Sequence, residues 1–171
     1  MNNLILIGFM GTGKTSTGEV LAEKINASFV DLDLLIEEEA GMTIPDIFSR
    51  EGEAGFRDRE TQALSAVLSN KGQVIATGGG AVLSNKNRRM MQNNGFIILL
   101  EASVKVIIQR VESSDRPLLQ VPDPESRIRQ LLQERKEAYS CAHYRVETSG
   151  LTPQQVAETI INRMGGIQWS R

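Results

Sequence analysis

A glycine-rich loop near the start of the chain constrains the possible folds more than any other sequence feature. Residues 8–15 read Gly-Phe-Met-Gly-Thr-Gly-Lys-Thr, which matches the phosphate-loop pattern of a glycine, four residues and Gly-Lys-Thr. The apolar run at residues 4–7 is typical of a short buried strand, and the apolar positions after Thr15 have helical spacing. A strand, this loop and a helix in that order indicate an α/β protein.

The residue types in this loop suit the binding of phosphate. Glycines let the backbone curl so that successive N–H groups point at phosphate oxygens, and the following helix N-terminus adds partial positive charge. In this pattern Lys14 reaches the outer phosphates and the Thr15 hydroxyl ligates Mg²⁺. We therefore predict a nucleoside triphosphate site, with a glycine-rich turn that binds nothing as the alternative. The candidate nucleotide contacts in the loop are Gly11, Thr12, Gly13, Lys14, Thr15 and Ser16.

Length and composition favour a single domain over residues 1–171, since the chain is 40% hydrophobic and long enough to bury a core. The formal net charge of −2 gives no electrostatic reason to expect nucleic acid or an anionic membrane surface as a partner. Cys141 is the only cysteine, which excludes an intramolecular disulfide and fits a reducing compartment. Apolar runs are too short to span a membrane and no signal segment is apparent, so a cytoplasmic enzyme is expected, as a monomer.

Strand-like and helix-like segments alternate along the chain, which predicts a parallel sheet with helices on both faces. Five strands are predicted, at residues 4–7, 28–30, 74–76, 96–100 and 143–147. Helices are predicted at residues 15–25, 34–40, 43–68 with a break near Gly52, 85–94, 104–111, 125–139 and from Pro153 onward.

The hydrophobic pattern stops between the fourth and fifth predicted strands. Residues 112–124 are mostly polar and contain Pro117, Pro122 and Pro124, which predicts a surface loop. A loop of this length is more typical of a functional element than of a simple connector. We therefore expect a mobile lid at residues 112–124.

Two further groups of residues follow predicted strands, at the edge where open parallel sheets bind ligands. Asp31 and Asp33 come after the second strand, and because strand residues alternate in direction they are not expected to face one ligand together. One could hold Mg²⁺ through water while the other accepts a hydrogen bond from a substrate hydroxyl, or both could simply cap the next helix. Residues 77–80, Thr-Gly-Gly-Gly, follow the third strand and expose backbone N–H groups beside the nucleotide crevice.

Six motifs, taken together, resemble those of the shikimate kinase family over nearly the whole chain. They are the phosphate loop at 8–15, Asp-Leu-Asp at 31–33, Gly-Glu-Ala-Gly-Phe-Arg at 52–57 with Glu60, the glycine turn at 77–80, Asp-Arg-Pro-Leu-Leu at 115–119, and Arg135 with Tyr139. Any one of these motifs is weak. Their combination, in the order of the family and near its spacing, is highly specific.

The resemblance implies transfer of the γ-phosphoryl group of ATP to the 3-hydroxyl of shikimate, which gives shikimate 3-phosphate and ADP. This is a step toward chorismate and the aromatic amino acids. The implied architecture is a three-layer α/β phosphate-loop fold with a five-stranded parallel sheet in the order 2-3-1-4-5, helices on both faces and a lid. The implied shikimate-binding segment is at about residues 32–60, and the implied metal is Mg²⁺.

The resemblance also implies a role for each candidate residue. The catalytic residues would be Lys14, Asp33, which holds the attacking hydroxyl, and Arg116, which enters from the lid. Thr15 and Asp31 would serve the metal. The shikimate contacts would be Asp33, Arg57, Gly78, Gly79, Gly80 and Arg135, and the remaining nucleotide contacts would be Arg110, Arg116 and Pro153.

The chemistry of shikimate, a small carboxylate with three hydroxyls, supports these roles independently. Arg57 and Arg135 carry planar guanidinium groups, which suit bidentate binding of a carboxylate. Glu60, one helical turn after Arg57, could hold that guanidinium in place or form a surface ion pair of negligible value.

Two departures from expectation and two rival functions stay open at this point. No acidic Walker B residue follows the third strand, and the resemblance implies that Asp31 takes the metal role in its place. Leu151 is apolar where a longer polar side chain would be expected near adenine. One rival function is that of another small-molecule kinase, similar to gluconate kinase. Such a kinase would share the phosphate loop but would not need Arg57 and Arg135 to meet on a carboxylate beside Asp33. The other is a non-catalytic nucleotide-binding regulator, which would not need the catalytic residues together. His143, Cys141 and Trp169 are interpreted as structural or peripheral.

Overall fold

The structure, a computed structural model, describes residues 2–111 and 122–165. Within these ranges, five strands form one sheet in the order β2-β3-β1-β4-β5, and every neighbouring pair is parallel. The strands are β1 Asn3–Ile7, β2 Ser28–Asp31, β3 Gln73–Ala76, β4 Gly95–Glu101 and β5 Tyr144–Glu147. The predicted fold class and strand order are confirmed.

The helices cover both faces of this sheet. In the described part of the chain they are α1 Lys14–Ile25, α2 Leu32–Ala40, α3 Ile44–Leu68, α4 Asn85–Asn94, α5 Val104–Val111, α6 Pro124–Arg135 and α7 Pro153–Met164. Short 3₁₀ turns at Ala81–Leu83 and Ala138–Cys141 complete the elements of these ranges.

The central strand β1 explains the three layers. All five of its residues are buried, and successive side chains enter different hydrophobic clusters because a strand alternates between its two faces. Ile5 and Ile7 pack with residues of α2, α3 and α4, whereas Leu4 and Leu6 pack with residues of α1 and α7. A strand covered on both faces therefore reads as one continuous apolar run.

Helix α3 begins and bends where the sequence predicts. The Thr43 side chain accepts a hydrogen bond from the Asp46 N–H, and Pro45 lies in the first turn. Gly52 interrupts the helix with φ 73° and ψ −179°, a conformation that favours glycine. The bend separates a first segment from a second one that carries Arg57 and Glu60.

Helix α2 begins at Leu32, two residues earlier than predicted. The Asp31 side chain caps it by accepting hydrogen bonds from the backbone N–H groups of Asp33 and Leu34. Asp33 therefore lies in the first helical turn and not on a strand. Asp31 and Asp33 therefore do not alternate along a strand as predicted, because the strand ends at Asp31, which caps the helix that begins at Leu32.

Helix α6 and strand β5 also differ from their predicted bounds. Helix α6 begins at Pro124, with Asp123 as its cap, and ends at Arg135, so Tyr139 lies in the 3₁₀ turn that follows. His143 precedes β5, where its ring Nδ1 accepts a hydrogen bond from the Ile97 N–H and its own N–H donates to the Ile97 carbonyl. These bonds use the polar groups of Ile97 just before the β4–β5 pairing begins, as suits a structural histidine.

Several predictions fall partly or wholly on residues outside the described ranges. The predicted lid at 112–124 overlaps the described part of the chain only from residue 122 onward, and Arg116 and Trp169 are not among the described residues. Across residues 2–111 and 122–165, no helix combines the length and the apolar character that crossing a bilayer requires.

Candidate active site

The parallel sheet brings the predicted site residues to one edge because the carboxyl ends of its strands all lie on the same side. The phosphate loop follows β1, Asp31 ends β2, and the glycine turn follows β3. Helices α3 and α6 then supply Arg57 and Arg135 from outside the sheet. The predicted residues within the described ranges lie in two neighbouring regions. The acceptor region surrounds the glycine turn at residues 77–80, and the nucleotide side comprises the phosphate loop and the residues beside it.

The phosphate loop holds its lysine close to its own backbone. The Lys14 ammonium donates to the Gly8 carbonyl at 2.9 Å and to the Phe9 carbonyl at 3.0 Å. Gly13 adopts a left-handed conformation, with φ 91°, just before α1 begins. The N-terminus of α1 and the ammonium thus concentrate positive charge at the loop, which favours a phosphate ligand.

Thr15 and Asp31 present neighbouring oxygen atoms that suit a metal ion. The Thr15 hydroxyl donates to Asp31 Oδ2 at 2.6 Å, while Asp31 Oδ1 caps α2. The two interpretations of Asp31, helix cap and ligand, are therefore compatible, since each carboxylate oxygen has a different task. Two adjacent oxygen ligands fit Mg²⁺, which usually takes one or two protein oxygens together with phosphates and water. Among the described residues, no cluster of three or more His, Cys, Asp or Glu could hold a metal by itself.

The glycine turn lies against the candidate acceptor residues. A Cβ atom at Gly78 would lie 2.6 Å from Asp33 Oδ1 and 3.0 Å from Glu60 Oε1, and one at Gly80 would lie 2.5 Å from Arg57 Nη1. Side chains at these two positions would displace the carboxylates and the guanidinium. The absence of side chains on the turn therefore lets three charged groups converge on it.

Arg135 reaches the same turn from α6. Its Nη1 donates to the Gly79 carbonyl at 2.8 Å, and its Cζ lies 5.1 Å from the centroid of the Phe9 ring. One N–H edge and one face of the guanidinium are thereby used for orientation. Arg135 thus lies between the phosphate loop and the glycine turn.

Arg57 is oriented by a buried carboxylate. Its Nη1 lies 3.0 Å from Glu60 Oε2, and its Nη2 lies 3.5 Å from Glu53 Oε1. The Glu60 side chain is 1% exposed and that of Arg57 is 31% exposed. Of the two interpretations of this i,i+3 pair, the structure supports the one in which Glu60 holds the guanidinium, because a buried partner is not a solvated surface charge.

Glu60 is electrostatically unusual. Burial raises the pKa of its carboxyl group and the neighbouring Asp33 charge raises it further, whereas Arg57 and Arg135 oppose the shift. Its Oε1 has no hydrogen-bond partner in the described part of the chain. The acceptor region therefore contains two carboxylates and two guanidinium groups at close quarters, with Glu60 as the member most removed from solvent.

A cavity of about 260 Å³ lies beside the phosphate loop and is not lined by the residues that meet at the glycine turn. Predicted nucleotide contacts that line it are Gly11, Thr12, Gly13, Ser16, Arg110 and Pro153. Leu151, the apolar residue noted near the expected adenine contact, lines it as well and is 37% exposed. Residues from the loop, α5 and α7 thus form one cleft.

Sequence reasoning missed Thr148 in this cleft. Arg110 Nη1 donates to the Gly11 carbonyl at 3.1 Å and to Thr148 Oγ1 at 3.2 Å, and Arg110 Nη2 donates to the Thr148 carbonyl at 3.1 Å. Thr148 comes directly after β5, as Asp31 and Thr77 stand at the ends of β2 and β3. Its place at a strand's carboxyl end was the signal that could have identified it.

The family model for shikimate kinase matches residues 10–165 of the chain. This chain belongs to the shikimate kinase family. Curated shikimate kinases agree with that assignment over nearly the full length. The one from Thermodesulfovibrio yellowstonii is 49% identical over 162 residues, which are 94% of each chain, and the one from Sulfurihydrogenibium sp. is 41% identical over 165 residues, which are 96% of this chain and 98% of the relative.

Solved structures agree as well. The shikimate kinase from Acinetobacter baumannii, in complex with shikimate, has a TM-score of 0.93 and 40% identity, with 99% of this chain and 96% of that chain covered. A sugar kinase from Janibacter sp. has a TM-score of 0.57 and 14% identity, which shows a shared fold alone.

Membership of the shikimate kinase family confirms the recognition based on the six motifs. The chain is an enzyme with shikimate kinase activity, and this activity belongs to the pathway that leads to aromatic amino acids. The gluconate kinase-like and regulatory alternatives are set aside by the match over residues 10–165.

Proposed function

We propose that the chain binds ATP on the phosphate loop and transfers the γ-phosphoryl group to the 3-hydroxyl of shikimate. The observation that carries this assignment of residues is the convergence of Asp33, Arg57 and Arg135 on the glycine turn beside Lys14. A carboxylate acceptor and two guanidinium donors match a substrate that has hydroxyls at one end and a carboxylate at the other. The solved relative from Acinetobacter baumannii, in complex with shikimate, supports the same choice of acceptor.

Arg57 and Arg135 would bind the shikimate carboxylate. Each guanidinium is already oriented from one side, Arg57 by Glu60 and Arg135 by the Gly79 carbonyl. Orientation before binding reduces the conformational entropy that the complex loses. Backbone groups of Gly78, Gly79 and Gly80 would contact the ring hydroxyls.

Asp33 would position the reacting hydroxyl and receive its proton. The shikimate oxygen forms a new bond to the γ-phosphorus, the bond from that phosphorus to the bridging oxygen breaks, and ADP leaves with the electron pair. Phosphoryl transfer depends mainly on alignment and charge neutralisation. Asp33 would supply the alignment of the attacking oxygen.

Lys14 and the backbone N–H groups of residues 11–16 would neutralise the phosphates. Thr15 and Asp31 would hold Mg²⁺, which when bound supplies charge neutralisation at the phosphate oxygens. Arg116 joins this proposal through its motif at residues 115–119 and adds a further positive charge for the transferring group. Arg110 and Pro153 would enclose the adenine end in the cavity of about 260 Å³.

We further infer a cytoplasmic monomer that acts on ATP and shikimate, with neither nucleic acid nor a membrane as partner. The formal net charge of −2 gives no electrostatic reason for nucleic acid or an anionic membrane as a partner, and the single cysteine fits a reducing compartment such as the cytoplasm. Light scattering coupled to size-exclusion chromatography measures the mass directly, and a dimer in micromolar solution would contradict the monomer.

The deciding experiment measures ADP release with Mg²⁺ and ATP in the presence of shikimate, of gluconate, or of no acceptor. We expect release only with shikimate, together with a product whose phosphorus couples to the proton on carbon 3. Release that depends on gluconate, or that needs no acceptor, would contradict the proposal.

A further inference from the structure

Thr148 connects three parts of the nucleotide side of the molecule. The residue is 2% exposed, and its hydroxyl lies 3.1 Å from the Thr12 carbonyl and 3.0 Å from the Glu101 carbonyl. The same hydroxyl oxygen lies 3.2 Å from Arg110 Nη1. Thr148 thus joins the phosphate loop, the end of β4 and helix α5.

The hydroxyl group is what makes these connections possible. It has one hydrogen to donate and two lone pairs to accept with, so it can donate to a carbonyl while it accepts from the guanidinium. Valine has nearly the same shape but neither function. Loss of the hydroxyl would leave a buried carbonyl and one N–H of Arg110 with a weaker set of partners.

The backbone of Thr148 strengthens the same arrangement. Its N–H donates to the Glu101 carbonyl at 2.8 Å, which anchors the segment after β5 to the end of β4. Its carbonyl accepts from Arg110 Nη2 at 3.1 Å, while Arg110 Nη1 also reaches the Gly11 carbonyl. The Arg110 guanidinium is therefore held at two of its nitrogens, beside the cavity of about 260 Å³ that Arg110 and Pro153 line.

We propose that Thr148 is a positioning residue for the nucleotide. It acts mainly through Arg110, and to a smaller extent through the Thr12 peptide, and it holds both in the arrangement that accepts the base and the adjoining phosphate. The inference rests on the proposed function in one respect, namely that this cavity receives the adenine end of ATP. Thr148 has no contact with Asp33, Arg57 or Arg135 among the hydrogen bonds of the described residues, so the acceptor side should not depend on it.

The test measures the binding of ADP and of shikimate, separately, by titration calorimetry. Thr148→Val should weaken ADP binding by about tenfold, because a hydrogen bond to a charged group and a buried carbonyl contact are lost together. Thr148→Ser keeps the hydroxyl and should stay within about threefold of the wild type. Shikimate binding should change by less than about twofold in both variants.

Thr61→Val is the matched control. Its hydroxyl, on α3, donates to Asn87 Oδ1 on α4 at 2.9 Å. Helices α3 and α4 pack on the face of the sheet opposite to α1 and α7, so the variant removes a hydrogen bond without changing the residues that line the nucleotide cavity. ADP binding should be unchanged in this control. If Thr148→Val does not fold, Thr148→Ala removes the same hydroxyl without adding a methyl group in its place.

A double-mutant cycle distinguishes positioning from a general structural effect. In an Arg110→Ala background, Thr148→Val should weaken ADP binding by clearly less than it does in the wild type, because its main route of action is gone. Equal losses in both backgrounds, or an equal loss of ADP and shikimate binding, would overturn the proposal. So would ADP binding within twofold of the wild type in the valine variant. Because the readout is ADP binding, failure of shikimate phosphorylation by the wild type would contradict only the proposed function.

Discussion

Replacement of Arg57 by methionine separates the two tasks of this arginine, which are to bind the acceptor and to neutralise a buried carboxylate. Methionine keeps an unbranched apolar stem against Phe56, whose ring centroid lies 5.2 Å from the Arg57 Cζ. The charge is lost while much of the packing remains. Glu60, 1% exposed, then faces the protein interior without its ion-pair partner.

The cost to stability follows from that burial. Removal of one member of a buried ion pair costs about 3–5 kcal/mol, and the lower value applies because Arg57 is itself 31% exposed. A loss of about 3 kcal/mol corresponds to a decrease in Tm of about 6–12 °C for a domain of this size. Shikimate binding should weaken by about 30-fold, or about 2 kcal/mol, because one cation facing its carboxylate is gone.

The double variant Arg57→Met/Glu60→Gln distinguishes the two tasks. Glutamine keeps the shape of Glu60 but removes the buried charge, so most of the lost stability should return while shikimate binding stays weak. Arg59→Met is the control on the same helix. Arg59 pairs with Glu51 through two bonds of 2.8 Å at an exposed position, and removal of such a pair should change the free energy of unfolding little.

The pH dependence gives a second check with a defined sign. Burial raises the pKa of Glu60 in the folded state, so its contribution to stability is greatest below the unfolded value and declines as pH rises through the folded value. Arg57 opposes that rise in pKa, and its removal extends it. The stability difference between wild type and Arg57→Met should therefore be smaller at pH 5 than at pH 8, and the double variant should lose this dependence.

Urea and thermal unfolding at both pH values, with calorimetric titration of shikimate, measure all of these quantities. The reasoning is refuted if the double variant is no more stable than Arg57→Met, since the unpaired charge of Glu60 would then not cause the loss. It is refuted equally if Arg59→Met destabilises the protein as strongly as Arg57→Met does. Recovery of shikimate affinity in the double variant would show that Arg57 does not bind the carboxylate.

Three further predictions concern the remaining candidate residues. Asp33→Asn should reduce kcat by at least about a hundredfold while ATP binding stays nearly intact. Lys14→Met should impair nucleotide binding or turnover with any acceptor. An equal loss of ATP affinity in the two variants would contradict the assignment of Asp33. Arg135→Lys should weaken shikimate binding but leave the affinity for an analogue without the carboxylate nearly unchanged, as comparative titrations would reveal. Arg116→Ala should lower kcat in steady-state assays far more than it weakens shikimate binding, and near-normal turnover would remove this residue from the mechanism.

The sequence alone specified the elements whose causes are local. The phosphate loop, the caps at Thr43 and Ser103 and the break at Gly52 depend on hydrogen bonds and backbone preferences within a few residues. The apolar run of β1 marked a strand covered on both faces. Six motifs in a fixed order then identified the family, and with it the strand order, which no local pattern specifies.

Element boundaries were less predictable where two local preferences compete. Residues 31–33 follow a strand and also begin a helix, and the side chain of Asp31 resolves the competition by capping α2. Near the end of α6, the helical pattern continues to Tyr139, yet the backbone tightens into a 3₁₀ turn after Arg135. The same residues fit either geometry by composition, so packing decides.

Only the tertiary structure decided how charges and hydroxyls meet across long separations in the chain. Arg135 donates to Gly79, 56 residues away, and the Thr148 hydroxyl donates to Thr12, 136 residues away. The burial of Glu60 depends on the glycine turn packing beside it, since an i,i+3 pair with arginine can also lie on a solvated surface. Residue types and spacing name the groups that a site requires, but their distances and exposure depend on the packing of the whole chain.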